Sequence, residues 1–277
     1  MLIEDFINIK YIDPIKLRDK YLFAKPFPHI VLDNFFNENI LNSVLNEFPN
    51  RQNKTGDLYG DLTSFEFNKK RSKNGIGSLP PSTYQLVSLL NSDKFLIYLR
   101  TLTGIKEHLI SDPYLSGGGF HETKNGGFLK IHVDFNKHLK LNLDRRINLL
   151  IYLNKNWNDD WGGKLELYDH NDMSKDALSV SPKFNNVVIF NTNSFSYHGH
   201  PDPLTCPEKE TRKSLALYYF SSGRPKEEIT GVHSTTFKNR DGEVFKYKFK
   251  LLIKKNLYDW VPPIVLRNIR KLLNFNK

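Results

Sequence analysis

Gly126-Gly127-Phe128-Leu129-Lys130-Ile131-His132-Val133-Asp134-Phe135 decides how the rest of the chain is read. Apolar and polar residues alternate along it, the period-two signature of a strand with one face buried. His132 and Asp134 are two residues apart, so an extended backbone sends both side chains to the same face. An imidazole beside a carboxylate suits a metal site of mixed nitrogen and oxygen character better than a thiolate-type zinc site. The pattern is too short to carry a function alone. A third ligand and a substrate anchor have to follow it on strands.

Both follow. Asn186-Val187-Val188-Ile189-Phe190 is a short apolar run that reads as a buried strand, and it leads into Ser196-Tyr197-His198-Gly199-His200-Pro201. His198 and His200 would face the same way on a strand, so spacing alone leaves both open as third ligand. His200 abuts Pro201, where a strand should end, and this favours His198. Farther on, Arg212-Lys213-Ser214-Leu215-Ala216-Leu217-Tyr218-Tyr219-Phe220 reads as another strand with Arg212, Ser214, Ala216 and Tyr218 on one face. A guanidinium fork and a hydroxyl two residues apart form a compact carboxylate clamp.

His132-x-Asp134, a distal His198 and Arg212-x-Ser214 resemble the iron(II)- and 2-oxoglutarate-dependent dioxygenases, specifically their prolyl-4-hydroxylase-like branch. Arg145 to Asn154, Trp157 and Trp161-Gly162-Gly163-Lys164-Leu165-Glu166-Leu167 resemble the same branch, with a weaker echo in Pro26 to Asp33. The resemblance covers about residues 110 to 225. It implies His132, Asp134 and His198 as metal and catalytic ligands, with Arg212 and Ser214 binding the co-substrate. It implies Fe(II), 2-oxoglutarate and O₂ as cofactors, with ascorbate a candidate reductant. The implied reaction hydroxylates an unactivated C–H bond while 2-oxoglutarate is decarboxylated to succinate. A carboxylate at position 134 points to hydroxylation, because halogenating relatives lack it. The substrate expected is a prolyl or other peptidyl residue, or a small molecule.

Two other functions compete. One is a non-catalytic jelly-roll binding protein acting through a basic tail. The other is a cupin-like metal isomerase, whose sites usually carry His-x-His and a following Glu. Residues 132 to 140 offer only one His-x-Asp.

Around these motifs the texture is that of short strands at regular spacing, about 108–122, 127–134, 145–154, 164–170, 177–182, 185–192, 196–200 and 212–222. This predicts a mainly β protein with flanking helices and a double-stranded β-helix (jelly-roll, cupin-like) core. Three regions are expected: an N-terminal mixed helical and strand support (1–107), the β core (108–225) and a basic helical extension (226–277). In the first, 26–33 reads as a strand, while Asn37 to Phe48, Ser82 to Leu90 and Lys94 to Thr103 read as helices, the last stopped by Gly104. The polar stretch from Asn50 to Pro81 reads as an exposed loop or a lid over the metal. Gly117-Gly118-Gly119 lacks the helix and Lys-Ser/Thr of a phosphate loop and is expected to allow close packing near His121.

Composition narrows the function classes. Of 40 Lys and Arg residues eleven lie in 238–277, against only three of the 30 acidic residues, so most of the net charge of +10 belongs to the tail. The β region is nearly neutral, which argues against a protein built throughout to bind nucleic acid. The tail's 263–275 stretch pairs an apolar face with Arg267, Arg270 and Lys271, so an anionic partner is the sharper reading and a solvated helix face the blander one. Cys206 is the sole cysteine, which fits a reducing compartment. With neither a basic leader nor a long apolar run, a cytoplasmic location is expected.

Overall fold

The structure is a computed structural model describing residues 3–49, 58–61, 66–72, 75–138, 140–173 and 177–241. Among these, four α-helices accompany a mostly β chain: α1 (Ile15–Leu22), α2 (Glu38–Asn46), α3 (Pro81–Leu90) and α4 (Asp93–Thr103). Asn37 caps α2 by accepting from the Asn39 amide, and Ser92 caps α4 through the Phe95 amide. Gly104 ends α4 in the left-handed conformation (φ 72°). The start of α3 follows Pro80, which offers no side-chain cap, and Glu47 at the end of α2 serves instead. Its carboxylate accepts from the Ser82 amide and from the Thr83 amide and hydroxyl, each at 2.7 Å.

Burial acts to raise the Glu47 pKa, but these donors outweigh it and hold the carboxyl below its usual range. A depressed folded-state pKa contributes stability at neutral pH that is lost as pH falls through it. Glu47→Ala is therefore expected to cost about 1–2 kcal/mol at pH 7. Urea titrations at pH 7 and at pH 3 check this, since the wild-type advantage should shrink at the lower pH.

The strands are β1 (His29–Leu32), β2 (Leu58–Asp61), β3 (Glu66–Ser72), β4 (Leu109–Ser111), β5 (Gly119–Val133), β6 (Lys137–His138), β7 (Leu143–Tyr152), β8 (Leu165–Tyr168), β9 (Leu178–Val180), β10 (Val187–Asn191), β11 (Tyr197–His200), β12 (Thr211–Ser221) and β13 (Thr236–Phe237). They form one antiparallel sheet ordered β1-β10-β7-β12-β5-β11-β8-β9, nearly closed into a jelly-roll barrel. Beside this path β3 and β13 pair with β5, β4 with β12, and β6 with β7. No helix among the described residues is long and apolar enough to cross a membrane.

Strand alternation sorts the side chains. Ile147, Leu149 and Ile151 of β7 and Leu215, Leu217 and Tyr219 of β12 join the core formed with Leu41, Val44, Leu86, Leu90, Phe95 and Leu99 of the helices. The opposite face of the same strands carries Asn148, Leu150, Arg212, Ser214 and Tyr218, all of which line a cavity inside the barrel. The helices thus stiffen one side of the sheet while the other is left for a site.

Two expectations need correction, and a third falls outside the described residues. The stretch from Asn50 to Pro81 contains the β2–β3 hairpin, and β3 pairs with β5 from Glu66↔Leu129 to Arg71↔His121. Its run of polar residues has no apolar alternation to announce a strand. The 108–122 strand is interrupted, because the Asp112 carboxylate accepts from the Tyr114 and Ser116 amides and turns the chain between β4 and β5. β5 then runs without a break through the expected 127–134 strand. The expected tail helices, with Arg267, Arg270 and Lys271, lie outside the described residues.

Candidate metal centre

β5 and β11 bring the centre together. His198 stands directly opposite His132 in the antiparallel register, and Asp134 follows just beyond the end of β5. One donor atom each from His132, Asp134 and His198 lies within 4.8 Å of the others. His132 Nε2 is 3.6 Å from Asp134 Oδ1, and His198 Nε2 is 3.4 Å from Asp134 Oδ2. Adjacent ligands of one octahedral ion stand ~3 Å apart when each is ~2.1 Å from it, so the three are close to a facial ligand set.

The ring orientations are fixed from behind. His132 Nδ1 donates to the Lys130 carbonyl (2.8 Å) and His198 Nδ1 to the Ser196 carbonyl (2.9 Å). A carbonyl can only accept, so each Nδ1 keeps its proton and each Nε2 lone pair faces the site. The edge of Phe190 packs on His198 at 4.8 Å between ring centres, and Phe237 of β13 lies 5.5 Å from His132. Burial, with the neighbouring His198, pushes the His132 pKa below its ordinary value and so favours the neutral ring a metal requires.

Asp134 has its own support. Arg145 (2.9 Å) and the Asn148 amide (2.7 Å) both donate to its Oδ2. Arg145 Nε and an Nη also donate to Asn148 Oδ1, which accepts from the Thr192 hydroxyl as well. The guanidinium lies against the Tyr218 and Phe135 rings, 3.5 and 4.4 Å from their centres. Burial opposes ionisation of Asp134, but Arg145 and the two imidazoles win and hold its carboxyl well below the usual range. A bulge in β7 produces this contact. The register with β12 slips between Tyr219↔Ile147 and Phe220↔Arg145, which puts Arg145 on the side of Asn148. Arg146 is turned instead toward Glu107, Ser221 and Glu228.

At the far end of the same cavity, of about 170 Å³, stand Arg212 and Ser214. Arg212 is buried, donates to the Gly163 carbonyl (2.7 Å) and the Tyr152 hydroxyl (3.2 Å), and pairs with no carboxylate among the described residues. Burial lowers its pKa, and Tyr152 acts in the opposite direction. Gly163 makes room for it: with φ 70°, a Cβ there would sit 3.0 Å from Arg212 Cδ. A buried cation without a counter-ion is costly unless a ligand supplies the anion.

His200 and His121 line the cavity but stand outside the three-donor cluster. His121 Nε2 donates to the Gly117 carbonyl (2.8 Å), which the Tyr218 hydroxyl also reaches (3.0 Å). The β5–β11 register slips between His198↔His132 and His200↔Leu129, so the two histidines are not equivalent. Gly199 between them is pressed on β5, where a Cβ would meet the Leu129 and Lys130 carbonyls at 2.9 and 3.0 Å. Both contacts are backbone and neither can swing away. Gly199→Ala is expected to cost about 1–3 kcal/mol and to weaken metal binding by moving His198, readable by thermal denaturation and by Co(II) titration.

Barrel and donor set together resemble those of the 2OG-Fe(II) oxygenases. Residues 118–220 match the 2OG-Fe(II) oxygenase superfamily. The chain has curated relatives named as prolyl 3-hydroxylases. It is similar to prolyl 3-hydroxylase OGFOD1 of Mus musculus, 32% identical over 79 residues that cover 27% of this chain and 14% of that one. Against the Xenopus laevis protein of the same name identity is 27% over 183 residues, 64% of this chain and 32% of the other. The chain thus spans about a third or less of the curated relatives it matches. In fold it is similar to a Pseudomonas putida prolyl-4-hydroxylase (TM-score 0.55, 16% identity, 75% of this chain and 98% of that one). It is also similar to a Trichoplax adhaerens prolyl hydroxylase in complex with a hypoxia inducible factor oxygen degradation domain peptide fragment (TM-score 0.55, 17% identity, 75% and 89%). Fe(II) and 2-oxoglutarate are the metal and co-substrate of the superfamily. The residues present fit both, as two imidazoles and a carboxylate suit iron(II), and Arg212, which no described carboxylate pairs, suits a dicarboxylate.

Proposed function

We propose that the chain hydroxylates a C–H bond of a prolyl residue in a polypeptide, with His132, Asp134 and His198 holding Fe(II) and Arg212 with Ser214 holding 2-oxoglutarate. One observation carries the reading: the three-donor cluster and a buried arginine without an acidic partner among the described residues face the same cavity. When bound, iron and 2-oxoglutarate supply the oxidising power, with O₂ consumed and succinate and CO₂ released as the hydroxyl is installed.

The protein's own part is positioning and exclusion of water. The Lys130 and Ser196 carbonyls keep both Nε2 atoms aimed inward. Arg145 and Asn148 occupy Asp134 Oδ2 and keep the carboxylate ionised and in one rotamer. Arg212 and the Ser214 hydroxyl offer a fork and a further donor to the distal carboxylate of the co-substrate. Leu129, Leu150, Leu165 and Phe237 give the cavity apolar walls. The peptide in the Trichoplax complex and the prolyl hydroxylase relatives support a prolyl substrate.

Anaerobic addition of Fe(II) and then 2-oxoglutarate is expected to give a weak visible absorption band. His198→Ala should abolish it and weaken metal binding by at least about 100-fold, since even outer-shell partners of a metal are worth ~10–100-fold. His200→Ala should keep the band. The reverse pattern would move the ligand to His200. Unchanged Fe(II) affinity in both His132→Ala and His198→Ala would sink the proposal.

A further inference from the structure

A second cavity, of about 480 Å³, adjoins the metal cavity and is lined by none of His132, Asp134, His198, Arg212 and Ser214. Thr235 lines both. The second is lined by Phe135, the residue after Asp134, and by Gly117, whose carbonyl accepts from His121 and Tyr218 of the metal cavity. Its outer side is the 232–235 segment, which is pinned to the barrel by Asn136. The Asn136 side chain accepts from the His233 amide (3.0 Å) and donates to the Gly231 carbonyl (2.9 Å). The surface of the cavity's lining is mostly apolar and includes Val232, which is 67% exposed.

The rim has one sign of charge. Among the described residues Lys137 and Lys140 line it and no carboxylate does. Neither lysine forms an ion pair with a described residue. Asp144, opposite Lys137 in the β6–β7 register, is engaged by Arg224 instead (3.4 Å). Lys140 lies over the ring of Tyr114, 4.9 Å from its centre, and that ring is itself half exposed. Cations over an aromatic and aliphatic surface, next to a reaction cavity, match an extended ligand with apolar and acidic side chains. A free amino acid reaching the metal would leave this second, larger cavity empty, whereas a polypeptide continuing past its reacting residue would fill it.

We infer that the second cavity is a substrate subsite that receives an acidic segment flanking the hydroxylated residue, with Lys137 and Lys140 selecting for Asp or Glu. The inference rests on the polypeptide hydroxylase reading and sharpens it to acidic sequences. Because the lysines sit at the rim, they act on affinity and are screened by salt.

The test is direct binding, so that it does not depend on turnover. Short fluorescein-labelled peptides with one central proline, flanked by Glu, by Gln or by Lys, are titrated by anisotropy into the 277-residue chain loaded with Co(II) and 2-oxoglutarate. At low salt the Glu-flanked peptide is expected to bind about ten-fold tighter than the Gln-flanked one, the scale of two rim charges. The Lys-flanked peptide should bind weakest. Lys137→Gln/Lys140→Gln should erase the preference, and the single Lys140→Glu should weaken the Glu-flanked peptide while improving the Lys-flanked one. Equal binding of all three by the wild type, or a preference that survives in the double variant, would overturn the subsite. So would a single-stranded RNA oligonucleotide that displaces the Glu-flanked peptide and binds through the same two lysines, since the partner would then be nucleic acid. The Fe(II)–2-oxoglutarate band of the same preparation reports separately on the hydroxylase reading.

Discussion

Asp134→Ala is expected to fail twice, as a metal site and as a folded protein. Removing the carboxylate takes away the one anionic ligand of the cluster, and Fe(II)-dependent release of succinate should fall below detection. It also strands Arg145, which is 1% exposed and makes its ion pair with Asp134. Breaking one side of a buried pair typically costs 3–5 kcal/mol. The loss here should be about 3 kcal/mol, at the low end of that range, because Asn148 and the two rings still hold the guanidinium. His132→Ala leaves no buried charge behind and should cost the metal with a smaller change in stability. The double variant Asp134→Ala/Arg145→Met is the control, as it removes both charges and should recover much of the stability but none of the metal binding. Urea denaturation of the apo proteins beside Co(II) titrations separates the two effects. An Asp134→Ala protein as stable as the wild type would mean that Arg145 is not anchored through this carboxylate.

The same pair shows where the sequence stops being readable. His132 and Asp134 are visible because period-two spacing fixes their common face without any knowledge of the neighbours. Arg212 and Ser214 on β12 are legible for the same reason. Arg145 is not, since its facing depends on a bulge between β7 and β12, and pairing register leaves no trace in one strand's own pattern. Two adjacent arginines at the head of the apolar run Ile147 to Tyr152 were the available signal. Charge inside a buried strand has to be paired. The β2–β3 hairpin and the packing of Phe237 on His132 are hidden for a related reason: both are settled by backbone pairing to β5. α1 is faint because only Tyr21 on it is buried, so no apolar face recurs. The two histidines of β11 are separated by the register slip at Gly199, which spacing cannot show.

Arg212→Met should act on stability with the opposite sign. Arg212 is a buried cation whose hydrogen-bond partners, the Gly163 carbonyl and the Tyr152 hydroxyl, are both uncharged. Without ligand its desolvation is not offset by a nearby anion, so an apolar chain of similar length should stabilise the apo protein by about 1 kcal/mol. The gain is limited because the Gly163 carbonyl loses its donor. Binding reverses the balance. The distal carboxylate of 2-oxoglutarate would be left in the cavity without its cation, and truncating one side of a buried charge pair costs about 3–4 kcal/mol. At 1.4 kcal/mol per decade the KM for 2-oxoglutarate should rise roughly 100- to 1,000-fold, with Fe(II) affinity in the absence of co-substrate little changed. Arg212→Lys keeps the charge but not the fork, and should fall between the two. Thermal scans with and without 2-oxoglutarate display both signs at once. The wild type starts lower and is raised by the ligand, while Arg212→Met starts higher and does not respond. A variant that is less stable than the wild type and still shifts with 2-oxoglutarate would make Arg212 a structural cation and send the search for the carboxylate anchor elsewhere in the cavity.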